Sequence, residues 1–177
     1  MQHSVREGRM AVRNLVMAAV VAAAAATDPA RAEGAKTTLG LIERVLIQPE
    51  GLDVLAKVDT GAEHSSIDTV DWETFDKGGD TWVRFRLRLD EGRIETLERP
   101  LGRMARVRRA GAETRDRPIV LLSLCVDGTT REVEVNLSKR SRLNYRMLLG
   151  ASFLSGAFLV DVSQSHTSRP ACGGGRR

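Results

Sequence analysis

The sequence predicts a mainly β-strand domain with one short helix near its C-terminus. From residue 37 onward, short runs rich in Val, Ile and Leu alternate with Gly, Pro, Asp and Asn, which is the pattern of an all-β domain. Residues 82–89 alternate apolar and arginine side chains, as expected of a strand with one buried and one solvated face. No long amphipathic helix interrupts this pattern.

The first 32 residues are predicted to be a cleavable signal peptide. Three arginines precede an apolar run over residues 15–26, and Ala30-Arg31-Ala32 fits the small-x-small pattern of a cleavage site. A membrane anchor is the alternative, but the run is shorter than the roughly 20 apolar residues of a spanning helix. We therefore expect an exported, periplasmic protein cleaved near Ala32.

Chain length and net charge indicate one domain and give no support for a nucleic-acid partner. The 177-residue chain would leave one ordinary domain after cleavage, which we place over residues 36–165. Its formal charge of +4 falls to about +2 without the signal, a balance too mild to demand nucleic acid. A second basic stretch, residues 103–109, has no interleaved aromatics on which bases could stack. No nucleic-acid partner is expected.

The strands can be placed in order along the chain. Residues 39–47 and 52–58 form a predicted hairpin around the turn at residues 48–51. Residues 119–126 are continuously apolar, and they are followed by Asp127-Gly128 and the alternating residues 132–137, a second hairpin whose first strand should be buried on both faces. Trp72 is expected in the core.

The C-terminal part is predicted to hold the helix and a tail. Residues 151–154 form the short helical turn and residues 158–162 a last strand. Residues 166–177, rich in Gly and Arg, are expected to be disordered. Cys125 and Cys172 could pair in an oxidising compartment, but their contexts favour a buried thiol and a free tail thiol.

The candidate catalytic loop is Asp59-Thr60-Gly61, directly after the predicted strand over residues 52–58. Acid-base work at a peptide bond needs two carboxylates close enough to share one proton. Thr60 offers a hydroxyl that could brace the loop, and Gly61 and Ala62 leave room for close approach. Asp, Thr and Gly are also ordinary turn residues, so the triplet alone is equally typical of a plain turn.

A second element, Leu148-Leu149-Gly150, favours the catalytic interpretation. Together the two elements resemble the retropepsin-like aspartic proteases. The finer pattern is similar to a bacterial retropepsin-like family often labelled ATP-dependent zinc proteases. The segments that carry this resemblance are Val58-Asp59-Thr60-Gly61-Ala62, Ser65-Ser66, Arg140-Ser141-Arg142-Leu143, Met147-Leu148-Leu149-Gly150 and Phe158-Leu159-Val160-Asp161.

The resemblance implies a closed β-barrel corresponding to one half of an acid protease. It makes Asp59 the catalytic aspartate, Thr60, Gly61 and Ala62 the supports of the active-site loop, and Leu149 and Gly150 structural supports beneath it. The chain has one Asp-Thr-Gly, so the carboxylate pair would have to be completed by homodimerisation. The implied substrate is a protein or peptide. Ala151 departs from the basic residue expected after Leu-Leu-Gly, and the interval from Asp59 to Gly150 is longer than in viral retropepsins.

The zinc and ATP of the family label find no support in the residues. The sequence has no His-Glu-x-x-His and no Gly-rich Lys-Ser/Thr phosphate loop, so neither a metal site nor another cofactor is expected. Three functions remain open: an exported aspartic endopeptidase, a catalytically inactive binding or scaffolding module of the same fold, and a zinc hydrolase built from His64 and nearby acids.

Overall fold

The computed structural model describes residues 36–107, 115–169 and 172, and the chain is mostly β-strand. The described strands are β1 Thr37–Leu39, β2 Ile42–Gln48, β3 Leu52–Val58, β4 Ser65–Lys77, β5 Asp80–Arg88, β6 Ile94–Pro100, β7 Arg103–Val107, β8 Arg115–Val126, β9 Thr129–Ser138, β10 Met147–Leu149 and β11 Phe158–Val160. One α-helix, α1, spans Ala151–Leu154, as predicted, and Asp90–Gly92 forms a 3-10 turn. The predicted signal peptide lies outside the described residues.

Six of these strands close into a barrel. The order is β3, β2, β8, β9, β4 and β10, and β10 returns to β3 in parallel while it pairs with β4 antiparallel. Closure removes the open edges that a flat sheet would expose. Buried side chains from every barrel strand fill the interior, with Phe153 of α1 stacked on Phe158 at 5.3 Å between ring centroids. The predicted closed barrel is confirmed.

The first predicted strand, residues 39–47, is divided in two. β1 and β2 are separated at Gly40, where a Cβ would lie 2.6 Å from the backbone carbon of Gln164. The C-terminal segment therefore crosses the chain at a point where only glycine fits, and Leu41 donates its N–H to the Gln164 carbonyl at 2.7 Å. The partner of β1 is β11, in a small parallel sheet of its own. The β2–β3 hairpin was predicted correctly.

The long β4–β5 hairpin includes a strand, β4, that the sequence pattern did not reveal. Its second half is exposed and carries acids that pair with the arginines of β5, as between Asp71 and Arg86 and between Glu73 and Arg84 at 2.9 Å. Acids and threonines interrupt the alternation along β4. Trp72 is 38% exposed, so its predicted core position is wrong.

The β8–β9 hairpin turns at Asp127-Gly128 as predicted. The expectation that its first strand is buried on both faces is wrong at Leu121, which is 48% exposed. Since the barrel has an outer face that no layer of the described structure covers here, alternate residues of β8 point to solvent even in an apolar run.

The C-terminal tail is held to the barrel through residue 169, which corrects the expected disorder from residue 166. Glu43 of β2 is fully buried and accepts hydrogen bonds from the Gly40 N–H at 2.5 Å and from both the N–H and the hydroxyl of Thr167 and of Ser168 at 2.6–3.1 Å. Burial alone would raise the pKa of Glu43, but the hydrogen bonds from Ser168 and Thr167 outweigh it and the pKa is lowered.

A disulfide completes this attachment. Cys125 at the end of β8 is bonded to Cys172, with a Cα–Cα distance of 6.0 Å. The expectation of a buried thiol and a free tail thiol is therefore wrong. Residues 170–171 and 173–177 lie outside the described part of the chain.

We expect Glu43→Gln to destabilise the fold by about 1–3 kcal/mol at neutral pH. The glutamine NH2 group would face N–H and O–H donors that in the wild type bind a carboxylate oxygen. Because folding lowers the pKa of Glu43, its ionised carboxylate contributes full stabilisation at pH values above the ordinary glutamate pKa. This contribution is lost as the pH falls through the lower pKa of the folded state. The difference between the wild type and Glu43→Gln in urea unfolding should therefore shrink on acidification. Glu132→Gln, at an exposed position, is the control. Equal stability of Glu43→Gln and the control at neutral pH would contradict this role of Glu43.

Candidate active site

The Asp59 loop begins where β3 ends and is closed by its own hydrogen bonds. The Asp59 carbonyl accepts from the Ala62 N–H at 3.3 Å, and one carboxylate oxygen, Oδ1, accepts from the Gly61 N–H at 3.0 Å. This is the Asx-turn geometry of an ordinary tight turn. Its chemical consequence is that Oδ1 has a fixed donor, while no hydrogen bond within the described residues engages Oδ2.

Leu149 and Gly150, the supports that the family resemblance implies, lie against this loop. The Asp59 N–H donates to the Leu149 carbonyl at 3.0 Å, which continues the β3–β10 ladder, and the Ala151 N–H donates to the Ala62 carbonyl at 2.7 Å. The Gly150 N–H donates to the buried Ser65 hydroxyl at 3.1 Å. The loop is thus fixed on both sides by the same short segment.

Gly150 is required by close packing of backbone on backbone. A Cβ at this position would lie 2.6 Å from the carbonyl carbon of His64, 2.7 Å from its oxygen and 2.9 Å from the Ala62 oxygen. Such contacts are shorter than any that real Cβ atoms tolerate, and none of the three atoms belongs to a flexible side chain. Leu149, fully buried beneath the loop, anchors the same segment in the core.

The remaining loop residues face outward. Thr60 and Gly61 are exposed and Ala62 is half-buried. The Thr60 hydroxyl, expected to brace the loop, has no hydrogen-bond partner among the residues that the structure describes. A Cβ on Gly61 would meet one atom, Asp59 Oδ1, at 3.4 Å. Packing within the chain therefore does not require glycine there.

His64 belongs to a polar cluster that the sequence did not reveal. Its Nε2 lies 3.3 Å from Nη2 of Arg103, and Arg103 forms an ion pair with Glu134 at 2.7 Å. The Glu134 carboxylate lies 3.6 Å from His64 Nδ1. Its pKa is lowered, chiefly by the hydrogen bond that it accepts from Arg103. Arg103 is on β7 and Glu134 is on β9. The alternation within each strand gave no sign that the two side chains converge on the loop.

A second cluster lies beside the loop and includes Arg140. The carboxylate of buried Asp68 accepts from the Arg140 N–H at 2.6 Å and lies 3.3 Å from Nη1 of Arg146 and 3.5 Å from Nε of Arg88. The Arg140 side chain donates instead to the Ser66 hydroxyl at 2.9 Å. Burial lowers the pKa of Arg140, with Arg117 acting in the same direction, while the charges of Asp68 and Asp59 oppose the shift.

Two other aspartates that follow strands, Asp161 and Asp127, have hydrogen-bond partners of their own. Asp161 accepts from Ser163 and Gln164, contacts that lower its pKa, and Asp127 accepts from the Arg169 N–H at 3.1 Å. In the described part of the chain, no three His, Cys, Asp or Glu side chains converge as a metal ion would require. The zinc hydrolase alternative thus has no ligand set there. No described helix has the length and hydropathy of a membrane span.

Comparisons with known proteins place this geometry in context. A model of the RimB-like family, described as retropepsin-like aspartic endopeptidase RimB, matches residues 38–170. A probable alpha-L-glutamate ligase of Shewanella pealeana is 31% identical over 115 residues, which cover 63% of this chain and 25% of that protein. A protein of the same name from Desulfotalea psychrophila is 29% identical over 111 residues, covering 61% and 24%. The chain spans about a quarter of the length of these relatives.

A solved structure shares the fold. The crystal structure of a protein of unknown function from Legionella pneumophila superposes with a TM-score of 0.65 at 26% sequence identity, covering 75% of this chain and 98% of that chain. The described barrel is therefore similar to nearly the whole of that protein.

We expect Gly150→Ala to destabilise the protein by about 1–3 kcal/mol, because the added methyl would force the loop off the Leu149-Gly150 segment. Gly61→Ala is the matched control and should unfold within about 0.5 kcal/mol of the wild type, since its methyl has room. Urea unfolding of both variants measures the difference. Equal stabilities would contradict the tight packing at Gly150.

Proposed function

Because the chain belongs to the RimB-like family of retropepsin-like aspartic endopeptidases, we propose that it hydrolyses peptide bonds with a water molecule activated by a pair of Asp59 carboxylates. The observation that carries the proposal is the Asp59 loop. Its backbone is hydrogen-bonded to Leu149 and Ala151 and packs against Gly150, one carboxylate oxygen accepts from the Gly61 N–H, and the other has no hydrogen-bond partner among the described residues. A preorganised carboxylate of this kind suits acid-base catalysis.

The pair is completed by a second copy of the chain. Within the described residues the buried acids, Glu43 and Asp68, are bound to the tail and to arginines, and no second carboxylate is hydrogen-bonded to half-buried Asp59. Thr60 and Gly61 are exposed, so two loops can meet about a two-fold axis. The Thr60 hydroxyl, which has no hydrogen-bond partner among the described residues, then braces the loop of the second copy.

The chemistry follows from two carboxylates about 3 Å apart, which cannot both ionise and so share one proton. The ionised carboxylate removes a proton from water as the water oxygen attacks the scissile carbonyl carbon. The protonated carboxylic acid donates its proton to the carbonyl oxygen, giving a tetrahedral diol. A proton then moves to the amide nitrogen, the C–N bond breaks, and a diol hydroxyl returns a proton to the pair.

The proposed substrates carry α-linked glutamyl residues. The relatives that this chain matches are named probable alpha-L-glutamate ligases, and a ligase of that name joins glutamate to an acceptor. A peptidase related to a segment of such proteins is suited to peptides that contain α-linked glutamate. Oligoglutamate peptides are therefore the first substrates to assay.

Export remains part of the proposal. The Cys125–Cys172 disulfide supports the predicted signal peptide over residues 1–32, because such bonds persist in oxidising compartments and are rare in the cytosol. N-terminal sequencing of the protein recovered from a periplasmic fraction should begin near Glu33. Recovery with residues 1–32 intact would contradict cleavage.

We expect Asp59→Asn to lower kcat/KM on an oligoglutamate peptide by at least about 10³-fold, because the amide cannot exchange the shared proton. Folding and dimerisation should be unchanged, since the Asn oxygen still accepts from the Gly61 N–H. Asp76→Asn is the control, because Asp76 also accepts from a glycine N–H, that of Gly79, but lies at an exposed hairpin turn.

Analytical ultracentrifugation of the wild type and both variants measures the oligomeric state. Activity that survives in Asp59→Asn, or an active monomer, would contradict the carboxylate pair. A folded wild-type dimer that cleaves no peptide would favour the catalytically inactive binding module.

A further inference from the structure

Arg140 lies on the same face of the sheet as Asp59. Leu149 and Val58 are paired across β10 and β3 and point into the core, so their neighbours Leu148 and Lys57 form a row on the opposite face. Ser66 of β4 is in register with Leu148 on that row. Asp59 is two residues beyond Lys57 and so emerges on this face as well.

The Arg140 guanidinium is anchored to this row but lacks a carboxylate. Nη1 donates to the Ser66 hydroxyl, and Nε is buried without a hydrogen-bond partner. Among the described residues no acid forms an ion pair with it, although Arg88 and Arg146, its neighbours, both lie within 3.5 Å of Asp68. The cluster therefore holds three arginines around one buried carboxylate.

Such an arrangement costs free energy in the protein alone. A buried N–H group without an acceptor costs free energy because it loses its hydration. The desolvation cost is larger for a partly buried cation without a counter-ion. A guanidinium recovers this cost when a carboxylate accepts two of its N–H groups in parallel. Asp59 Oδ1 is already bound to the Gly61 N–H, so within the described residues no carboxylate forms an ion pair with the Arg140 guanidinium. A carboxylate of a bound ligand can fill this role.

We propose that Arg140 is a specificity-determining residue that binds a carboxylate of the substrate lying across Asp59. This inference rests on the proposed function and adds the residue that selects acidic peptides. The carboxylate can belong to a glutamyl side chain or to the C-terminus of the peptide, which present the same planar acceptor. The Ser66 hydroxyl holds the guanidinium plane, and the Asp68 carboxylate holds the Arg140 backbone.

The first experiment compares cleavage of four peptides: oligoglutamate and a glutamine-diluted counterpart, each as the free acid and as the C-terminal amide. For each variant we compare kcat/KM on oligoglutamate with kcat/KM on the glutamine-diluted peptide. In Arg140→Gln this ratio should fall by about 10–100-fold, mainly because KM for oligoglutamate rises. Arg140→Lys should restore part of it. Arg142→Gln, at an exposed position in the same connection, should keep the wild-type ratio. A loss confined to free acids over amides assigns the carboxylate to the C-terminus.

A purely structural role of Arg140 would give a different pattern. Removing a satisfied ion-pair partner lowers the thermal midpoint, whereas removing a cation with an unpaired buried N–H should leave it within a few degrees. An unchanged ratio in Arg140→Gln, or a proportional loss on all four peptides together with a lower midpoint, would overturn the inference while leaving the peptidase assignment intact.

Binding separates this inference from the proposed function. Fluorescence anisotropy of labelled oligoglutamate is measured with Asp59→Asn and with the Asp59→Asn/Arg140→Gln double variant, neither of which turns over the probe. We expect the double variant to bind about 10–100-fold more weakly. If the wild type cleaves nothing but this difference persists, the peptidase assignment fails and the Arg140 site stands. If Asp59→Asn binds no oligoglutamate, the Arg140 site fails.

Discussion

The position of β10 between β3 and β4 is the constraint on which the rest of the structure depends. All three of its residues pair with β3, and Met147 and Leu148 also pair with β4. The same segment therefore closes the barrel and, through the Leu149 carbonyl, accepts the hydrogen bond from the Asp59 N–H. Removing it would open the barrel and release the candidate active-site loop together. Stability and the placement of the carboxylate are therefore properties of the same hydrogen-bond ladder.

The parts that local pattern determines were predictable from the sequence. The β2–β3 and β8–β9 hairpins have strong turn signals between apolar runs, and the pairing of Asp59 with Leu149-Gly150 followed from the family resemblance. Local alternation could not reveal β4, because its outer half is largely exposed and mixes acids with Trp72 and Phe75. It also misplaced Trp72, since an aromatic on an exposed sheet looks like a core residue until the layers are known.

The remaining parts depend on contacts between residues far apart in the chain. Glu43 reads as a polar residue in a half-buried strand, yet it is fully buried because residues 167–168 supply its donors from across the molecule. The clusters at His64 and Arg140 each join three strands or connections, and no spacing within one segment predicts them. Long-range polar contacts of this kind appear only when the topology is known.

The attachment of the tail at Glu43 decides where the domain can be trimmed. A boundary chosen by composition at residue 165 would remove the four donors of Thr167 and Ser168. Of the donors to Glu43 among the described residues, the Gly40 N–H alone would remain. The same boundary would also strand Cys125 without its disulfide partner. Affinity tags and fusions at this end therefore belong after Cys172. Aggregation of a shortened version would result from the loss of these tail contacts.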